Sequence, residues 1–118
     1  MMKNKTFTAS IICAAKGLAY AIRTEKNYKY YCLILFLSII ANIASGVSVS
    51  GYLCQIITAA GVFSAECLNT GIEHIMDMQS REIRTEIRII KDLAAAGVLC
   101  WGIAFFACEI IMIGKAIG

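Results

Sequence analysis

Four polar residues in the middle of the chain are spaced so that one face of a helix would carry them all. We call them the acidic face: Glu66, Asn69, Glu73 and Asp77. Separations of three, four and four positions place the side chains within about 80° of one another around a helix. Like charges at positions i and i+4 repel, so Glu73 and Asp77 would weaken a purely structural helix. We therefore expect a cation beside the acidic face.

The stretch before the acidic face is apolar, and this sets the depth of each acid in a bilayer. Measured from Gly51 at 1.5 Å per residue, Glu66 lies about 22 Å along the helix and Glu73 about 33 Å. A hydrocarbon core of about 30 Å would enclose Glu66 just inside its edge and leave Glu73 in water. Glu66 is thus predicted to meet a lipid headgroup and act as a general base, and Glu73 to meet a charged water-soluble ligand. A neutral carboxyl group hydrogen-bonded inside a bundle is the alternative for Glu66 alone.

A basic stripe follows the acidic face along the chain. Arg84, Arg88 and Lys91 recur at i, i+4 and i+7. Such cations bind phosphate oxygens, and they also anchor helices on acidic lipid headgroups. Next to the acidic face, the stripe indicates a site for phosphate and metal. His74 points away from that face and is expected at the interface, whereas Glu109, deep in a later apolar stretch, has no evident partner.

The composition indicates where these residues lie. Of the 118 residues, 59% are apolar and 16% are charged, and the mean hydropathy is +0.73. A soluble domain of this size cannot bury so much apolar surface. The chain is therefore predicted to be an all-α integral membrane protein of one domain, residues 1–118. We expect membrane-spanning helices at 28–45, at 51–78 with a cytoplasmic extension, and at 93–114, the last two joined by a link at 79–92.

Residues 1–25 are predicted to form an amphipathic helix in the membrane interface. Its apolar residues recur at helical spacing: Phe7, Ile11, Ala14, Leu18 and Ile22. A stripe of this kind rests on the acyl chains while the cations opposite it face anionic headgroups. A soluble cap packed on the bundle is the alternative. If the helix continues, Glu25 turns towards the bundle.

The basic residues also predict the orientation. Ten of the 11 Lys and Arg residues lie at or before the start of the first span or in the 79–92 link, and the short connection after residue 45 has none. The positive-inside rule then places the N-terminus and the link in the cytoplasm and the C-terminus outside. The acidic face would therefore face the cytoplasm.

Three segments resemble the bacterial diacylglycerol kinase and undecaprenol kinase family of small membrane kinases. Residues 66–77 match its pattern E-x-x-N-[ST]-x-[IL]-E-x-x-x-D, and residues 91–99 resemble its pattern K-D-x-[AG]-[AS]-[AG]-[AS]-V-L. Lys16-Gly17-Leu18 and Thr24-Glu25-Lys26-Asn27 form the third match. The resemblance covers nearly the whole chain. It implies a homotrimer in a bacterial cell membrane, with sites shared between protomers, that phosphorylates a lipid alcohol with ATP.

The resemblance also implies a role for each site residue. Glu66 would be the catalytic base and contact the lipid substrate, with Asn69 in support. Glu25 and Glu73 would hold Mg²⁺. The residues implied to bind ATP are Glu25, Glu73, Asp77, Glu82, Lys91 and Asp92.

The sequence departs from the family pattern in the link, where Arg81-Glu82-Ile83-Arg84 replaces a His-Pro or Tyr-His motif. This and other departures favour the undecaprenol kinase branch over the diacylglycerol kinases, although apolar grooves discriminate lipid tails poorly. No G-x-x-x-x-G-K-[ST] motif is present, so a kinase here would rely on positioning and charge neutralisation.

Two other functional classes compete with a kinase. Intramembrane glutamates also mark proton or cation transporters, but these acids cluster at one membrane edge and not along a path through it. A non-catalytic membrane subunit is the other alternative. We expect no nucleic-acid partner.

Overall fold

The computed structural model describes residues 6–79 and 84–118, and all regular structure in these ranges is helical. The helices are α1 Phe7–Thr24, α2 Lys26–Ser45, α3 Val49–Gln79 and α4 Thr85–Ile117. The last three are long and apolar enough to cross a membrane. The prediction of an all-α membrane protein with an N-terminal helix and three spans is therefore confirmed.

α1 turns its apolar stripe away from the other helices. Thr6 caps its N-terminus, where Oγ1 accepts a hydrogen bond of 3.1 Å from the Ala9 amide. Phe7 and Ile11 are exposed, whereas Ala21, near the C-terminal end, is buried. The helix therefore contacts the bundle close to Ala21 and leaves its apolar stripe free for lipid.

The chain leaves the helical conformation at Glu25, so the helix predicted over residues 1–25 ends at Thr24. Glu25 has extended backbone angles (φ −95°, ψ 115°), although its amide still donates to the Ala21 carbonyl. This single extended residue separates α1 from α2. The Glu25 side chain is nevertheless half-buried against the bundle.

The connection between α2 and α3 is a tight turn at Gly46. This glycine has a left-handed backbone (φ 70°), which a residue with a β-carbon rarely adopts. Its amide donates to the carbonyls of Asn42 and Ile43, and the Val47 amide also donates to Asn42. These bonds satisfy the last carbonyls of α2, so the chain reverses within a few residues.

α3 and α4 form the most closely packed helix pair. A β-carbon built at Gly61 of α3 would overlap the indole ring of Trp101 in α4, so glycine permits this approach. Ala59, Val62 and Phe105 form a small buried cluster between the two helices. α2 packs less closely on this pair.

Both helices of this pair extend beyond their apolar stretches. α3 continues to Gln79, and α4 begins at Thr85, well before residue 93. The described part of the 79–92 link is therefore mostly a helical extension of α4. Because the two helices are antiparallel, the polar end of α3 lies beside the polar start of α4.

Candidate active site

Glu66 is the most deeply buried acid among the described residues, with 2% of its surface exposed. It lies on α3 where the apolar part of the helix gives way to the acidic face. The side-chain amides of Asn27 on α2 and Asn69 on α3 lie within hydrogen-bonding range of its carboxyl group. Amide donors of this kind offset the cost of burying a carboxylate.

Asn69 connects Glu66 to the next acid on the same face. Its Nδ2 donates to Glu73 Oε1 at 3.2 Å, and the same side chain interacts with Glu66. Asn69 and Thr70 are buried, while Glu73 is half-buried and faces the polar end. Glu66 is therefore more buried within the chain than Glu73, and the predicted depth of each acid in a bilayer stays a prediction.

Glu25 joins this pair from a different part of the chain. Both Glu25 and Glu73 lie close enough to Glu66 to interact electrostatically with it. The extended joint between α1 and α2 therefore places a third carboxylate beside the acidic face. The structure brings together the predicted base and both predicted metal ligands within one chain.

The donor set suits Mg²⁺ without forming a complete cage. Among the described residues, no three His, Cys, Asp or Glu side chains form a metal-binding group. Mg²⁺ in kinases is usually held by one or two carboxylates together with substrate phosphates and water. Glu25 and Glu73 provide such carboxylates, and Asn69 orients one of them.

Asp77 and Lys91 form an ion pair between α3 and α4. Lys91 Nζ lies 2.7 Å from Asp77 Oδ1, and both side chains are partly exposed. This pair joins the acidic face to the basic stripe at the water-facing end. Asp92 and the stripe residues Arg84 and Arg88 are exposed there. Glu82, the other residue implied to bind ATP, lies outside the described residues.

Two neighbouring residues of α2 have roles that the sequence did not predict. Asn27 was part of a matched motif but had no assigned contact, and it now reaches Glu66. Tyr28 is completely buried, and its hydroxyl donates to the Phe63 carbonyl and lies 2.7 Å from Cys67 Sγ. These contacts fix α2 to α3 on either side of Glu66. No spacing within one helix could reveal them.

His74 lies outside the site, as its position on the helix predicted. Its ring packs edge-on against Tyr20 of α1, with the ring centroids 6.3 Å apart. Both side chains are exposed. The contact holds α1 beside the polar C-terminal part of α3.

Comparison with known proteins identifies the family of the chain. Residues 12–113 match the family described as prokaryotic diacylglycerol kinase. The chain is 30% identical to an undecaprenol kinase of Bacillus subtilis (strain 168) over 94 residues, which cover 80% of this chain and 76% of that protein. No solved structure matches significantly. The buried acid, its amide partners and the three helical spans thus occur in a chain that belongs to the prokaryotic diacylglycerol kinase family of membrane lipid kinases.

Proposed function

We propose that the protein phosphorylates the hydroxyl group of a lipid alcohol at the cytoplasmic face of a bacterial cell membrane, with ATP as the phosphate donor and Mg²⁺ as cofactor. The observation that carries this proposal is the position of Glu66. It is buried where the apolar part of α3 ends, and two further carboxylates lie beside it. A lipid hydroxyl and a water-soluble nucleotide can meet only at such a boundary.

Glu66 is the proposed general base. Its carboxylate accepts the proton of the lipid hydroxyl while the hydroxyl oxygen attacks the γ-phosphorus of ATP, and the bond to the bridging oxygen of ADP breaks. Asn27 and Asn69 hold the carboxylate in place for this transfer. In a low-dielectric site such fixed dipoles lose little energy to reorganisation.

Charge neutralisation is the second requirement of phosphoryl transfer. Glu25 and Glu73 would hold Mg²⁺, which when bound offsets the charge of the phosphates. Lys91, Asp92 and Glu82 are proposed to contact the nucleotide. Asp77 holds the Lys91 ammonium group at the mouth of the site.

Assembly and orientation complete the proposal. We propose a homotrimer, with the N-terminus and the polar ends of α3 and α4 in the cytoplasm and the C-terminus outside. The distribution of basic residues supports this orientation. Three spans are too few to shield a polar face from lipid on every side, which supports self-association.

Undecaprenol is the substrate that we propose first, with diacylglycerol as the alternative. The similarity to a protein named undecaprenol kinase and the departures in the link support this order. The test is to incubate the purified protein with labelled ATP and Mg²⁺ and with each lipid separately. We expect labelled undecaprenyl phosphate from the native chain and none from Glu66→Gln. Absence of any labelled lipid with both alcohols would contradict the proposal.

A transporter is a weaker candidate because apolar residues separate the two intramembrane acids. Between the levels of Glu66 and Glu109 lies a cavity lined by aliphatic and aromatic residues, among them Ile34, Val62 and Phe105. Such a lining has few polar groups that could bind a proton or a cation on its way across the membrane. Mg²⁺-dependent ATP consumption that requires added lipid alcohol would separate a kinase from both a transporter and a non-catalytic subunit.

A further inference from the structure

A second buried carboxyl group lies far from the candidate active site. Glu109 on α4 is 93% buried, and its Oε2 has no hydrogen-bond partner among the described residues. The amides of Asn42 on α2 and Gln55 on α3 lie beside it. Gln55, which lies at the level of Glu109, precedes Glu66 by 11 positions on α3. Glu109 and Glu66 are therefore about 16 Å apart along the bundle. Glu109 therefore belongs to the opposite half of the bilayer.

Glu109 lines a cleft between α2 and α4. The cleft has a volume of about 670 Å³ including its open side, and its walls are mostly apolar, with Leu37 and Ile113 among them. Ser38 provides the other polar side chain of the lining. The Ser38 hydroxyl accepts from Gln55 and donates to the Leu35 carbonyl, which leaves one lone pair.

The cleft continues towards the candidate active site. Ile34, Phe105 and Phe106 line both this cleft and the neighbouring apolar cavity. That cavity reaches Tyr31 and Phe63, and Phe63 lies one helical turn before Glu66. An apolar trough therefore runs along α2 and α4, with a polar group at Glu109 and the acidic face beyond its other end.

We propose that this cleft is a second binding site for a neutral long-chain alcohol, separate from the site of phosphorylation. The apolar walls suit a hydrocarbon chain. A hydroxyl group can donate one hydrogen bond to the unpaired carboxyl oxygen of Glu109. Its oxygen can also accept hydrogen bonds from neighbouring donors. A charged headgroup does not fit, because no cationic residue lines the cleft in the described part of the chain. The choice of alcohol rests on the proposed function, since the substrate itself is a lipid alcohol.

The position of this second site suggests how a bound alcohol would move along the trough. An alcohol held at Glu109 has its hydroxyl group in the half of the membrane away from ATP, so it cannot react there. The same chain, moving along the trough, would bring its hydroxyl to Glu66. The cleft is therefore proposed as a holding site for substrate in the opposite half of the bilayer.

Photolabelling tests the proposal independently of kinase activity. The full chain in phosphatidylcholine bilayers is exposed to a long-chain primary alcohol with a diazirine beside the hydroxyl group, or to the same chain with hydrogen in place of the hydroxyl. We expect the alcohol to label the α4 segment around Glu109 about fivefold more than the hydrocarbon does, as one added hydrogen bond allows. Glu109→Leu should lower the labelling by the alcohol to that of the hydrocarbon.

Two controls separate this site from the active site and from misfolding. Glu66→Gln removes the proposed base, so it should abolish phosphorylation while leaving the labelling around Glu109 intact. In the native chain, unlabelled alcohol should displace the probe and the hydrocarbon should not, which needs no variant. Equal labelling by both probes would overturn the proposal. The proposal would also be overturned if the alcohol probe did not label the cleft and a cross-link joined the cleft to a second copy of the chain.

Discussion

At the scale of single residues, Glu66 is buried and lies beside two side-chain amides. A carboxyl group that is 2% exposed in an apolar bundle is costly unless hydrogen bonds compensate it. Asn27 and Asn69 provide this compensation from two different helices. The same donors hold the carboxyl group in one position, so stability and orientation have one structural origin.

Replacing Glu66 by Gln tests its role as a base. The amide keeps the shape and most hydrogen bonds of the carboxyl group but cannot accept the substrate proton, so we expect turnover to fall by roughly 10²–10⁴-fold. Turnover is measured with saturating ATP and lipid, and size-exclusion chromatography checks that the assembly is unchanged. Glu86→Gln, the same change at an exposed site on α4, should retain normal turnover. Near-normal turnover in Glu66→Gln would disprove the assignment.

The carboxylates of Glu25 and Glu73 should act together on one metal ion. We expect Glu25→Gln and Glu73→Gln each to raise the KM for Mg²⁺–ATP more than the KM for the lipid, because both are proposed to hold the ion. The double variant should lose less free energy of binding than the sum of the single losses, since the two residues share a ligand. Steady-state kinetics over a range of Mg²⁺ concentrations measures this. Strict additivity would assign the two residues to separate sites.

At the scale of elements, the contact between α3 and α4 decides how the two polar ends meet. Gly61 allows the helices to approach at Trp101, and the Asp77–Lys91 ion pair closes the water-facing end. An exposed ion pair contributes little free energy by itself. The close helix contact is therefore what aligns α3 with α4, and the ion pair follows from it.

A substitution at Gly61 tests this contact. Gly61→Ala places a methyl group against the Trp101 ring, and overpacking of this kind destabilises a fold by about 1–3 kcal/mol. Gly71→Ala is the matched control, because nothing lies within 4 Å of a β-carbon there and alanine favours the helix by about 0.5–1 kcal/mol. Thermal unfolding in detergent compares the two. A Gly61→Ala variant as stable as Gly71→Ala would show that the contact is unimportant.

At the scale of the whole molecule, the proposed trimer determines which chain supplies each carboxylate. Asn69 interacts with both Glu66 and Glu73, so these two acids act from the same α3. Glu25 of the same chain lies beside Glu66, but α2, which begins directly after Glu25, packs less closely on α3 than α4 does. We therefore propose that in the trimer Glu25 of a neighbouring chain takes this place beside Glu66.

Mixing inactive variants tests this shared site. We expect mixtures of Glu25→Gln and Glu66→Gln chains to recover activity, because a native Glu25 from one chain can then serve a native Glu66 from another. Mixtures of Glu66→Gln and Glu73→Gln chains should stay inactive, since each site needs both acids from one helix. Activity of mixed and separate assemblies is compared after reconstitution. Failure of both mixtures would mean that each chain builds its site alone.

The sequence alone determined the class of protein, the helical elements and most of the acidic face. Hydropathy and length specify membrane helices because the bilayer forces every backbone polar group to bond within its own segment. The spacing of Glu66, Asn69 and Glu73 specifies their common face because helical geometry is regular. Both are local properties, so they can be calculated from neighbouring positions.

Only the tertiary structure decided which residues from other helices meet that face. The break at Glu25, the reach of Asn27 to Glu66 and the Tyr28 hydroxyl on the Phe63 carbonyl all depend on how α2 is placed against α3. Glu109 gained neighbours, Asn42 and Gln55, for the same reason. Contacts between helices depend on the angle and depth of packing, which arise from many side chains at once and leave no periodic signal along one chain.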